Sequence, residues 1–109
     1  MKKIKVIVKR PDEKYGHVTR ISNTLENLQK TVEGYIETVP LTTKDVIICN
    51  EEGKLKNLSR NIRMYGDTVY SETLVGDVIV AGVSGDEFSD INISFNDWKR
   101  LVDKWEGRV

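Results

Sequence analysis

Asp45-Val46-Ile47-Ile48-Cys49-Asn50 is the stretch whose reading decides the fold. Its centre is continuously apolar, with no polar face to turn toward water. That pattern predicts a central strand buried on both sides. Upstream, Lys3-Ile4-Lys5-Val6-Ile7-Val8-Lys9 alternates, with Ile7 as the exception, and predicts a long strand with one buried face. Pro11 to Gly16 reads as a turn, because proline fixes φ and glycine tolerates positive φ. His17-Val18-Thr19-Arg20-Ile21 alternates imperfectly and is expected to pair with the first strand as a hairpin. Tyr35-Ile36-Glu37-Thr38-Val39, ended by Pro40, is a further strand. Glu51-Glu52-Gly53-Lys54 is a turn with its glycine at a positive-φ position. Leu74 to Val83 holds the last strand, broken at Gly76 and ended near Gly82.

Between these strands the period changes to that of a helix. Asn23 is placed as an N-cap with Glu26 three residues on, the capping-box spacing. Leu25, Leu28 and Val32 then form one stripe, and Gly34 supplies a left-handed C-terminal cap, giving a short amphipathic helix over 24–33. Leu55, Leu58, Ile62 and Tyr65 recur at i, i+3, i+7 and i+10, which predicts a short helix or two helical turns. Residues 67–73 are expected to be irregular. Ser94 caps a final helix whose apolar stripe is Phe95, Trp98, Leu101, Val102 and Trp105, ended by Gly107. The two tryptophans are expected to dock that helix on the sheet. The order β-β-α-β-β-(α)-β-α predicts an α+β fold: a mainly antiparallel sheet with two amphipathic helices packed on one face, in a single domain over 1–109.

Composition narrows the class. A chain of 109 residues, 39% hydrophobic and 31% charged, has material for a core without staples, and is neither disordered nor membrane-spanning. Its single cysteine excludes an internal disulfide framework, and its single histidine excludes a multi-histidine metal site. The N-terminus runs directly into the first alternating strand, so no signal peptide is expected, and the location expected is cytoplasmic in a bacterial cell. Net charge is zero, yet the charges are segregated along the chain. Lys2, Lys3, Lys5, Lys9, Arg10, Lys14 and Arg20 crowd the start, and Lys54, Lys56, Arg60 and Arg63 form a second run without an acid. Met64 to Trp98 holds no Lys or Arg but carries Asp67, Glu72, Asp77, Asp86, Glu87, Asp90 and Asp97. Folding either gathers these into a positive and a negative side or scatters them.

The motifs that carry chemistry are few. Ala81-Gly82-Val83-Ser84-Gly85-Asp86 follows a strand, and its backbone N–H groups are a candidate anion nest, although no P-loop lysine accompanies it. Arg60 and Arg63, three apart, share a face if helical. With Lys54 and Lys56 they make the best phosphate-binding candidate, to which Asn57 and Asn61 can add amide contacts. The candidate ligand or partner residues are therefore Lys54, Lys56, Arg60, Arg63, Gly82 and Gly85. His17 has no carboxylate or nucleophile at a readable spacing, Cys49 reads as a small buried hydrophobe, and Glu51-Glu52 reads as a solvated turn. No catalytic residue, metal site or cofactor is assigned.

Gly34-Tyr35-Ile36-Glu37-x-Val39, followed by Cys49-Asn50-Glu51-Glu52-Gly53-Lys54-Leu55 and by Gly76, Gly82 and Glu87-Phe88, resembles a small uncharacterised domain family of bacteria, phages and conjugative elements. Leu25-x-x-Leu28-Gln29-x-x-Val32 fits the same pattern, and the resemblance runs over most of residues 1–92. Where members tend to read Leu-Pro-x-Asn-Arg, this chain has Leu58-Ser59-Arg60-Asn61-Ile62. The resemblance implies a setting, mobile genetic elements, and no activity. The expectation is a non-enzymatic binding protein of a phage or mobile element, acting stoichiometrically on a host protein or a small anionic nucleotide-like ligand as an antagonist of host defence. The alternative is a nucleic-acid-binding accessory protein using the basic strand edge and segment 54–63. No membrane is expected among its partners, and a homo-oligomer is left open.

Overall fold

Alternation and turn chemistry produce the strands much as the sequence suggests. The computed structural model describes residues 2–66 and 71–107. In chain order the elements are β1 (Lys3–Lys9), β2 (His17–Ser22), α1 (Leu25–Val32), β3 (Ile36–Pro40), β4 (Asp45–Asn50), β5 (Arg60–Tyr65), β6 (Ser71–Val75), β7 (Val78–Ser84), β8 (Glu87–Ser89) and α2 (Phe95–Glu106). The main sheet runs β2-β1-β7-β4-β3, with β8 paired to the end of β7, and every pairing is antiparallel. β5 and β6 form a separate hairpin. The fold is thus α+β with a mainly antiparallel sheet and two helices, and β4 is internal, as its apolar run requires.

Alternation along β4 and β7 sends neighbouring side chains to opposite faces. Ile48, Ile79 and Ala81 meet Ile4 and Val6 beneath Leu28 and Val32 of α1. Ile47, Val78 and Val80 meet Ile7 beneath Trp98, Val102 and Trp105 of α2, together with Ile62, Met64 and Leu74 of the β5–β6 hairpin. The helices therefore cover opposite faces, not one. A sheet whose two inner strands are apolar on both sides leaves one face open to water unless a helix covers each. Ile7, the exception in the β1 pattern, belongs to the second of these cores.

The helix expected between Leu55 and Tyr65 is not formed. Residues 51–57 are turns, and β5 begins at Arg60. Ile62 and Met64 are buried while Arg63 is exposed, a period of two, and Leu55 is 85% exposed, so the apparent helical stripe has no buried face. The partner is β6, which lies in what reads as irregular sequence and the start of the last strand; the part of that stretch over 67–70 is outside the described residues. Gly76, at φ 73, turns the chain between β6 and β7, making two strands of one expected run.

The helix caps are displaced by one residue. Thr24, not Asn23, caps α1, its Oγ1 accepting from the Asn27 N–H at 3.2 Å. The Asn23 amide instead donates to the Phe88 carbonyl at 2.9 Å. The left-handed residue at the helix end is Glu33, at φ 64, because Gly34 serves close packing: a Cβ there would meet Asn50 Nδ2 at 2.6 Å. The positive φ of the 51–57 turn likewise falls on Asn57, while Gly53 makes room for Val75. The Ser94 cap of α2 is as expected, its side chain accepting from the Asp97 N–H.

Candidate functional site

The residues singled out in the sequence do not assemble into one site. Gly82 lies between Asp45 on β4 and Ser89 on β8, and a Cβ there would collide with the Asp90 carbonyl. Gly85, at φ 60, opens the two-residue turn between Ser84 and Glu87, a glycine role in hairpins. The two glycines thus belong to a β7–β8 hairpin, crowded at Gly82 and open at the Gly85 turn. Arg60 pairs with Val75 near the opposite end of β7, roughly 20 Å away by strand rise, so one small ligand cannot touch both groups.

The basic segment is itself divided. Lys54 meets Glu72 at 3.4 Å, and Lys56 reaches back toward Gly34. Arg63 donates to Thr73 Oγ1 and Ser71 Oγ at 3.2 and 2.9 Å, with its guanidinium over the Tyr65 ring. A bulge between Arg60 and Ile62 interrupts the alternation, so Arg60 and Arg63 line one cleft of about 280 Å³, which they share with Trp105 and the Glu106 carboxylate. The acids of 64–98 are scattered too. Glu72 faces Lys54, Asp97 meets Arg100 at 2.7 Å, and Asp90 accepts from the Lys5 N–H at 2.7 Å.

A larger cleft, of about 540 Å³, opens where α2 passes the loop before β4. Ile93 and Leu101 supply its apolar lining, and Lys44, Arg100 and Lys104 its cations. One wall is fixed from beneath by Asp45, 1% exposed. Its Oδ2 accepts from Thr42 Oγ1 and its Oδ1 from the Asn92 N–H, both at 2.7 Å. A carboxylate satisfied in this way ties the 42–45 loop to the segment entering α2. Arg100 and Lys104 are four apart, so α2 presents them together. That spacing was legible in the sequence and went unread. Lys44 carried no sequence signal, since it joins the cleft only through the loop.

A second buried polar centre lies at the far end of the same face. Lys9 is 2% exposed, and its Nζ donates to Asn61 Oδ1 at 2.7 Å. The Asn61 amide nitrogen donates in return to the carbonyls of Lys9 and Gly76, at 2.8 and 2.7 Å. Burial holds the Lys9 ammonium below its ordinary pKa, opposed by the charges of Glu106, Glu13 and Asp12. This centre stitches β1, β5 and the β6–β7 turn together. It was missed because an alternating lysine reads as solvated.

The remaining titratable candidates lie apart. His17 Nδ1 is 3.2 Å from Glu13 Oε2 on the exposed hairpin turn. Burial pushes the Cys49 thiol up to about 11, with Glu37 and Glu72 adding to the shift, which leaves it almost wholly protonated near neutrality. Among the described residues no group of three or more His, Cys, Asp or Glu side chains is arranged to hold a metal ion, and no helix is long and apolar enough to cross a membrane.

Residues 4–105 match the family model described as a domain of unknown function, DUF3846. The chain belongs to that family, consistent with the expectation of a small uncharacterised domain family. No curated protein matches it, and no solved structure does.

Proposed function

We propose that this protein acts by stoichiometric binding, without turnover, and that its partner seats in the cleft between α2 and the 42–45 loop. The observation that carries the reading is the pairing of apolar Ile93 and Leu101 with the cations Lys44, Arg100 and Lys104 in one concavity, which Asp97 also lines. Such a cleft suits an apolar anchor flanked by carboxylate or phosphate groups. The Arg100–Asp97 pair is exposed, and pairs of that kind contribute little, so the guanidinium can turn to a ligand at small cost. In the setting of phages and conjugative elements implied by the sequence resemblance, the partner is a host protein and the outcome is antagonism of host defence.

The test is affinity capture from a bacterial host lysate, with mass spectrometry of the proteins and small molecules retained, run beside Leu101→Glu. The expected result is a species held near one-to-one by the wild type and lost by the variant. Equal retention by a folded variant, or catalytic conversion of any retained molecule, overturns the reading.

A further inference from the structure

Antiparallel pairing sets Lys5 directly opposite Arg20 on the face that carries Ile7, with Lys3 two residues along opposite Ser22 and Val18 opposite Ile7. Lys3, Lys5, Val18 and Arg20 are all exposed. α2 therefore leaves this flank of the sheet uncovered, whereas Ile4, Val6 and Ile21 on the other side of the same strands lie in the α1 core. Like charges placed directly across a pair of strands destabilise it, and among the described residues none of Lys2, Lys3, Lys5 or Arg20 enters an ion pair. The Asp90 carboxylate accepts from the Lys5 backbone N–H at 2.7 Å and lines a trough of about 510 Å³ with Lys2, Lys3 and Lys44. The flank thus concentrates positive charge on the exposed face of the β1–β2 pair, at a cost to its own stability.

We infer that this flank binds the phosphate backbone of nucleic acid. Same-face side chains along a strand stand roughly 7 Å apart, so Lys3 and Lys5 present successive charges in a row, with Arg20 beside them on the neighbouring strand. Lysine is depleted in protein–protein interfaces, while protein–nucleic acid interfaces are strongly positive and polar. That contrast favours a phosphate polymer over an acidic protein. The site differs from the α2 cleft in chemistry, lacking its apolar lining and reading no base edge. Lys44 and Asn92 line both the cleft and the trough, so the inference is tested at Lys5 and Arg20, which do not line the cleft.

The experiment measures fluorescence anisotropy of labelled 20-mer duplex and single-stranded DNA against the full chain, over a salt series. With about four phosphate contacts, log K for duplex should fall with log salt at a slope near −3.6, and less steeply for the single strand. Affinity for duplex should then drop roughly 100-fold between 50 and 200 mM salt. The double variant Lys5→Gln, Arg20→Gln removes two of the contacts, so its slope should be shallower by about 1.8 and its binding at 50 mM salt at least tenfold weaker. Its thermal midpoint should be unchanged or higher, because the like-charge pair is gone. Lys30→Gln, on α1, should bind as the wild type does. Absence of binding at 50 mM salt, wild-type binding by the double variant, or equal competition by a polyglutamate of matching charge would each overturn the inference.

Discussion

The two faces of the sheet are closed by different means. α1 seals its face with Leu28 and Val32 over Ile4, Val6, Ile48, Ile79 and Ala81. The buried polar group there, Asn50, caps the helix by donating to the Val32 carbonyl at 3.0 Å while its Oδ1 accepts from the Glu52 N–H. The α2 face is closed by a longer helix bearing two tryptophans, 5.9 Å apart and edge-to-face, and by an added hairpin. It also holds buried Lys9 and Asp45, and both the cationic cleft and the basic flank open on it. The difference teaches that the first face fixes one neutral polar group, the amide that caps its helix, while the second must hold charged groups in fixed places. Such groups cost stability unless fully bonded, and they then define a unique arrangement.

Substituting the anchors should break the comparison most visibly. Trp98 is fully buried, and its Nε1 donates to the Tyr15 carbonyl at 2.8 Å. Trp98→Ala should cost about 3–5 kcal/mol in denaturant unfolding, against about 2–4 for Leu28→Ala on the other face. A Leu28 loss exceeding that at Trp98 would remove the asymmetry. Next in size, Asn61→Ala removes the shortest bond of the Lys9 ammonium, leaving it the longer contacts to the Arg10 and Asn61 carbonyls at 3.5 and 3.4 Å, and takes the amide donor from two carbonyls. It should cost about 2–3 kcal/mol. A loss below about 0.5 kcal/mol would mean that water replaces the amide and that the centre is not rigid.

The smallest effect sharpens the comparison through pH. The folded pKa of Lys9 lies below its unfolded value, so between the two the unfolded chain binds more protons. Stability must then rise with pH across that window, up to about pH 10.4, with a slope no steeper than about 1.4 kcal/mol per pH unit. The Cys49 thiol, raised by burial to about 11, pulls stability the opposite way over the same range, so the comparison is made in a Cys49→Ala background. There, urea unfolding from pH 8 to 10.5 should show the rise with Lys9 present and lose it in Lys9→Met. Parallel curves would place the titration elsewhere.

Much of this architecture is legible in the residues. The apolar run at Val46–Cys49, the alternation at Lys3–Lys9 and the stripe from Phe95 to Trp105 each satisfy one period only, so local pattern and tertiary role agree. Ile62 and Met64 were ambiguous because a short run fits both periods, and only the β6 partner decides between them. The placement of the helices on opposite faces follows from β4 and β7, since two adjacent strands apolar on both sides need a helix over each face. Site residues were less legible. Arg60 and Arg63 meet through a bulge, and Lys44 reaches Arg100 and Lys104 through a loop held by a buried aspartate. Such juxtapositions are made by tertiary contacts and leave no spacing in the sequence.

The proposed binding belongs to the α2 side. Charge reversals on the two sides test it most directly, with Lys44→Glu, Lys104→Glu set beside Lys30→Glu on α1. Each folded variant is used as bait in the same host lysate, and the amount of partner retained per molecule of bait is measured. Loss of the partner at least tenfold with the first and wild-type retention with the second is the result expected. Retention by the cleft variant together with loss on reversing Lys30 would contradict it.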